Sequence, residues 1–206
     1  MPRFQRYEVH PDNPQTRLLQ AAAERLRAGT IAAVPTVAGY LMACQLDDKA
    51  AAARLLRHED ERQPVMLLCR DLAQAAGYLQ IDDLAFRAIR DAEAGTAAFL
   101  LRCTHRVPRR LAAAAGGAGL LYFGVHPVCQ GLLACFEQPL LALPVQRGQG
   151  TQDLEALPLG TLDLALDCGP LAGSRALSWV ELFRPSRPSL ARWAVEPASL
   201  EAQMAA

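Results

Sequence analysis

The sequence predicts a single α/β domain built around a large mixed sheet. Three observations carry that expectation. Short apolar runs of strand length alternate with stretches of helical spacing through most of the chain. Residues 30–69 show the alternation most compactly: an apolar run ends at Pro35-Thr36, a small-residue turn follows at Ala38-Gly39, a second apolar run leads into an Ala/Leu/Arg-rich helix, and a charged loop over 57–62 precedes a third run. The last three predicted strands have no helices between them, which predicts that part of the sheet is antiparallel.

Taken in order, residues 4–9 form a short leading strand. Asp12 or Asn13 then caps a helix that holds Pro14 in its first turn, where a missing N–H costs nothing. Leu18, Leu19, Ala22 and Leu26 share one face of it, and Gly29 ends it in the left-handed conformation. Strands follow at 30–34 and 40–44, and Asp47-Asp48 cap the next helix. After the strand 65–69, Asp71 caps a short helix that runs to about Gly77. Asp82 or Asp83 caps another, with Leu84, Ala88 and Ile89 inward. A strand at 97–103 leads into the basic turn 104–110, and a short helix from Pro108 is broken by Gly116, Gly117 and Gly119. A strand at 120–125, a helix opened by His126-Pro127 and a strand at 140–145 come next. Residues 146–152 read as a polar surface loop. The alternation of 162–167 predicts a half-exposed strand. Strands at 176–183 and 190–195 complete the sheet, and the tail 198–206 is a weak helix or flexible. Val34, Leu41, Leu67, Leu68, Phe99, Leu100, Leu121, Leu141 and Leu143 form the expected core. No repeat, linker or second domain is visible over 1–206.

Composition narrows the function classes. The hydrophobic fraction of 51% suffices for a core, and a net charge of +0 excludes a globally basic nucleic-acid protein, so such a role needs a local patch. No run approaches the ~18 apolar residues of a membrane span. The polar start of the chain lacks a signal-peptide core, so the expectation is a cytoplasmic protein with no membrane partner. The six cysteines form no CxxC pair and read as reduced, mostly buried thiols. They do not cluster with the four histidines, and no metal site is expected. No Walker loop, GxGxxG after a strand, GxSxG or HExxH occurs.

The segments PTVAGYLMACQLDDKAAAARLLR, VMLLCRDL, AAFLLR with VPRRL, and GVHPVCQGLLACFEQPLL resemble the YrdC/YciO family, and the opening HPDNPQTRLLQAAAERLRAG resembles its YciO-type branch. The resemblance implies a twisted mixed sheet with a large, largely positive concave face. It implies an activity, threonylcarbamoyl-AMP synthesis from threonine, bicarbonate and ATP for tRNA modification, and an association with double-stranded RNA. It also implies ATP or AMP as the nucleotide, with no other cofactor indicated.

Carried over residue by residue, the family's motifs are incomplete. Pro35-Thr36 matches, but Val37 and Ala38 replace the acidic and hydroxyl residues that often follow. Arg57 matches the Arg of the Lys-x-Arg motif, and Leu55 stands at its Lys. Tyr122 replaces an Arg, and Gly124 a Pro. Ala142-Leu143-Pro144 replaces Ser-x-Asn. Ser178 and Arg192 survive from two late motifs. Thr36, Arg57, Ser178 and Arg192 are therefore the expected nucleotide- or anion-binding residues, lining one pocket. Synthase chemistry binds anions through charge-assisted donors, and their loss predicts weak or absent activity.

Arg102, His105, Arg106, Arg109 and Arg110 form the clearest local positive patch in this neutral chain. Arg102, Arg106, Arg109 and Arg110 are the expected RNA contacts. Without interleaved aromatics, recognition is of the backbone, as for structured tRNA or double-stranded RNA. Three readings follow. The first is a nucleotide- or RNA-binding protein of YciO type with synthase activity absent or changed. The second is an active synthase whose missing groups come from Lys49, Arg54 or Arg147. The third is a protein-interaction module without a ligand site.

Overall fold

A computed structural model describes residues 4–57, 66–145, 151–171 and 177–183. They form one nine-stranded mixed sheet with helices on both faces, as expected. The strands are β1 (Gln5–Glu8), β2 (Ala32–Thr36), β3 (Gly39–Gln45), β4 (Met66–Cys69), β5 (Ala97–Arg102), β6 (Ala118–Phe123), β7 (Leu140–Pro144), β8 (Leu164–Asp167) and β9 (Ser178–Glu181). The helices are α1 (Thr16–Arg27), α2 (Lys49–Leu56), α3 (Leu72–Tyr78), α4 (Asp83–Asp91), α5 (Arg109–Ala114), α6 (Pro127–Leu133) and α7 (Thr151–Glu155). The spatial order is β1-β8-β2-β3-β7-β4-β6-β5-β9.

Because alternate strand residues point to opposite faces, the sheet feeds two cores. Tyr40, Met42, Leu67, Phe99, Leu121, Leu141 and Leu143 belong to the first, closed by Ala51, Ala52 and Leu55 of α2 with Ala75 and Tyr78 of α3 and Leu111 of α5. Val34, Leu41, Leu68, Ala98, Leu120 and Tyr122 belong to the second, closed by α1 and α6. Every residue of the expected core is buried. Asp48, Asp71 and Asp82 cap α2, α3 and α4 by accepting backbone N–H groups.

Several local expectations are corrected. Helix α1 starts at Thr16 with no side-chain cap. Asp12 and Asn13 lie in a preceding turn, their N–H groups donated to Nδ1 of His10 at 3.2 and 3.1 Å. On α4, Leu84 is 56% exposed and Ala85 is the buried residue, since the helix meets the core only along one narrow line. Strand β8 is not half exposed: β1 and β2 flank it, and cores cover both its faces. The sheet is mixed for a different reason from the expected one. Strand β8 runs parallel to both neighbours and β9 parallel to β5. The antiparallel pairs are β2–β3, β3–β7, β4–β7 and β5–β6. Helix α7 occupies part of the expected 146–152 loop. The strand expected at 190–195 and the tail 198–206 lie outside the described residues.

The sheet is strongly coiled. Thr36 pairs with Gly39. Six residues further along β3, Gln45 continues through Leu140 and Leu68 to Tyr122. In a flat sheet Thr36 and Tyr122 would lie about 28 Å apart along this diagonal. Instead the β2–β3 turn reaches the segment before β5. A Cβ at Gly95 would stand 2.6 Å from Cγ2 of Val37 and 2.5 Å from Cγ2 of Val125. The Tyr122 hydroxyl donates to the Gly95 carbonyl at 2.9 Å. Gly95 itself has φ of 78°, so this corner requires glycine twice, for conformation and for space.

Replacing Gly95 with Ala should therefore cost about 3 kcal/mol, combining backbone strain with overpacking. Gly117→Ala, at φ 85° but with open space around it, should cost about 1 kcal/mol. Urea unfolding of the two variants checks the difference, and equal losses would show that the Gly95 corner is not close-packed.

Candidate functional site

The corner that closes at Gly95 leaves a cleft of about 480 Å³. Four segments line it: Pro11 and Asp12 after β1, Thr36 and Val37 at the β2–β3 turn, Glu93, Ala94 and Thr96 before β5, and Cys168, Pro170 and Leu171 after β8. His126 enters from the start of α6. The chemistry is two carboxylates, an imidazole, a thiol and two hydroxyls. No Lys or Arg is among the described residues lining it.

The hydrogen bonds fix how these groups can act. Thr36 Oγ1 donates to the Gly39 carbonyl at 2.6 Å and accepts the Ala38 N–H at 3.2 Å, so the hydroxyl is largely spent on holding the turn. His126 Nδ1 accepts the Val128 N–H at 3.2 Å as the cap of α6. In the neutral ring that places the proton on Nε2, which faces Cys168 Sγ at 4.0 Å. Tyr40 lies 3.6 Å from the same sulfur, accepts the Cys168 N–H at 3.2 Å and donates to Gly169 O at 3.3 Å. Burial pushes the Cys168 thiol up, with the Tyr40 hydrogen bond opposing. Burial likewise holds His126 below the usual imidazole range, with Asp12 opposing. Near neutral pH the pair is thus a thiol facing an imidazole N–H, which is not an activated nucleophile. Behind it, burial pushes the Tyr122 phenol up to about 12, with the Thr36 hydroxyl and Ala38 backbone opposing.

Of the expected nucleotide-binding residues, Thr36 lines this cleft. Arg57 is exposed at the C-cap of α2 and is not among the lining residues. Ser178 opens β9, is exposed and is not among the lining residues, and its N–H donates to Thr96 O at 2.9 Å. Arg192 lies outside the described residues. Four of the motif positions that depart from the family are buried, Leu55, Tyr122, Gly124 and Ala142, whereas Pro144 is half-buried and Val37 lines the cleft.

The basic turn lies elsewhere. Strand β5 separates Thr96 from Arg102 by about 20 Å of extended chain. Arg102, His105, Arg106, Arg109 and Arg110 are all exposed. The Arg102 guanidinium stacks on Phe183 at 4.7 Å, Arg106 stacks on Tyr78 at 4.8 Å, and Arg110 donates to the Lys49 carbonyl at 3.1 Å. None of these arginines forms an ion pair with a carboxylate among the described residues, whereas Arg6, Arg54, Arg70 and Arg90 do.

Sequence reasoning read His126 only as a helix start and Cys168 only as a small hydrophobe, and it missed Asp12, Glu93 and Thr96. The available signal was positional: each lies in a connection between secondary-structure elements, where functional side chains concentrate.

Residues 24–151 match the Sua5_yciO_yrdC family model, described as telomere recombination. The YciO protein of Escherichia coli K12 is 34% identical over 138 residues, spanning 66% of this chain and 67% of that protein. The crystal structure of E. coli YciO superposes with a TM-score of 0.80 at 29% identity, covering 88% of this chain and 91% of that one. The crystal structure of P. abyssi Sua5 complexed with L-threonine superposes with a TM-score of 0.77 at 16% identity, over 86% of this chain and 54% of that one, a likeness of fold.

The lowered His126 value has a consequence for stability. A free imidazole titrates near 6.5, so the unfolded chain takes up a proton that the folded chain refuses. The contribution is complete above about pH 6.5 and is lost as pH falls from there through the lower folded-state value. His126→Asn, which keeps an acceptor for the α6 cap, should flatten this part of the stability profile. Parallel profiles for the two proteins in urea titrations between pH 7 and pH 5 would contradict the assignment.

Proposed function

The chain belongs to the Sua5/YciO/YrdC family, and we propose that it is a YciO-type member that binds structured RNA, tRNA or double-stranded, with threonylcarbamoyl-AMP synthesis weak or absent. One observation carries this reading: exposed cations without carboxylate partners gather on the basic face, while the described cleft lining has none. The guanidiniums of Arg102 and Arg106 lie over aromatic rings, an arrangement in which in-plane N–H groups can still donate to phosphate oxygens. Phosphate contacts of this kind position a backbone without reading bases.

The cleft supports the second half of the proposal. A synthase must hold a triphosphate, bicarbonate and a threonine carboxylate, all anionic, and the described lining offers Asp12 and Glu93 instead of cations. These residues do not fit a triphosphate. The groups named as replacements for the missing donors give the synthase reading little support. Arg54 is engaged with Asp163 at 2.9 Å and with the Gly160 carbonyl at 3.2 Å. Lys49 stands beside Arg109 and Arg110, not in the cleft. Arg147 lies outside the described residues.

Two measurements test the proposal. Turnover with threonine, bicarbonate and ATP should fall at least about a hundredfold below that of a family member with complete motifs, since one lost oxyanion donor already costs that much. Comparable turnover refutes it. In a tRNA titration at two salt concentrations, wild type should lose affinity steeply with salt. Arg106→Ala/Arg109→Ala/Arg110→Ala should bind more weakly, with a slope shallower by about 0.9 for each phosphate contact removed. Identical affinity and slope would remove this face from RNA binding.

A further inference from the structure

The basic face is not flat. Where the start of α5 approaches the start of α2, a groove of about 410 Å³ opens, lined by Leu46, Asp47, Lys49, Pro108, Arg109 and Arg110. Lys49 is sixty residues away from the arginines in sequence, so their juxtaposition is visible only in the fold. We propose that this groove is a discrete anion site for a phosphorylated ligand, separate from the cleft and assembled by Lys49, Arg109 and Arg110. The proposal shares its arginines with the RNA-binding face but does not require RNA.

Four features of the groove support it. Its walls are tied together: the Arg110 guanidinium donates to the Lys49 carbonyl at 3.1 Å. That bond holds the fork in place while its remaining N–H groups stay available, so little side-chain freedom is lost on binding. Its cations are uncommitted: Lys49 and Arg109 form no ion pair among the described residues. Its charge is unbalanced, with three cations against the single carboxylate of Asp47. The neighbouring Asp48 is not among the lining residues and turns its carboxylate to the Ala50 and Ala51 N–H groups at 2.9 Å as the cap of α2. Lastly, the base is apolar, with Leu46 buried and Pro108 beside it, and such a wall strengthens charge-assisted hydrogen bonds relative to open water. The contrast with the cleft, whose described lining has no Lys or Arg, means that a phosphate group is drawn to this groove.

Phosphate chemistry could reach the groove from a free polyphosphate or from an RNA backbone, and the test separates them. Binding of inorganic pyrophosphate, ATP and tRNA is measured at low salt for wild type, Lys49→Ala/Arg109→Ala, Asp47→Asn and, as a cleft control, His126→Asn. Pyrophosphate should bind wild type and the cleft control equally. The double variant should weaken it about a hundredfold, at about tenfold per cation removed, and Asp47→Asn should tighten it. The opposite signs are the signature of an electrostatic site, since a purely structural role for these exposed residues predicts no change in either. ATP following the same pattern identifies a free polyphosphate ligand; tRNA alone following it identifies the RNA backbone as the source. Loss of tRNA binding from wild type, with pyrophosphate behaving as stated, would sink the RNA reading and leave the groove standing. No pyrophosphate, ATP or tRNA binding that responds to Lys49 and Arg109, or equal weakening in His126→Asn, overturns the groove.

Discussion

The architecture depends on one close approach, the packing of Val37 and Val125 against Gly95. It joins corners of the sheet that lie four strands and six residues apart in the hydrogen-bonded register. Twist between neighbouring strands accumulates across an open sheet, and here it coils the sheet until those corners touch. The Tyr122 hydroxyl anchors the contact by donating to the Gly95 carbonyl, which would otherwise be a buried acceptor without a partner. The cleft is the space left beside this closure. Its walls come from segments after β1, at the β2–β3 turn, before β5, at the start of α6 and after β8, and only the coil brings those five together.

The molecule also separates its charges. A formal net charge of +0 conceals an uneven distribution. Asp12 and Glu93 face the cleft, whereas Lys49, Arg102, Arg106, Arg109 and Arg110 gather on the face beyond the far end of β5. Several other arginines are neutralised locally, as in Arg54 with Asp163, where the same carboxylate also accepts the Ile31 N–H at 2.8 Å and joins β2, β8 and α2. That pair is an architectural tie, and its half-buried position gives it more weight than a surface ion pair has. The cations on the basic face form no ion pair among the described residues, although Arg110 ties α5 to α2 through the Lys49 carbonyl.

Three of the departures from the synthase motifs, Leu55, Tyr122 and Ala142, have become part of the cores. Leu55 packs from α2 onto one face of the sheet, and Tyr122 and Ala142 pack on the other. Burying a leucine is worth about 2 kcal/mol, while burying an unpaired lysine there would carry a large desolvation cost. Tyr122 keeps a polar atom but directs it to a backbone carbonyl rather than to a ligand. These substitutions therefore favour packing at positions where the synthase motifs carry a cation or a hydroxyl.

By itself, the sequence determined the α/β class, the core and most elements, because these follow from local causes. Apolar runs make buried strands, aspartates at helix starts satisfy the first N–H groups, and Gly29 adopts the left-handed turn that ends α1. Two of its local errors concerned burial. The alternation in 162–167 reads as a half-exposed strand only if one face is open, and the helical spacing of Leu84 says nothing about how closely α4 docks. The basic turn was legible because its charges are adjacent in the chain. The tertiary structure alone decided that β8 and β9 run parallel to their neighbours at opposite ends of the sheet, since strand pairing depends on partners distant in sequence. It alone joined Thr36 to His126 and Cys168, and Lys49 to Arg109 and Arg110. The physical reason is the same in each case: a site is a convergence in space, and the coil that produces it is a sum of small strand twists that no single stretch of sequence encodes.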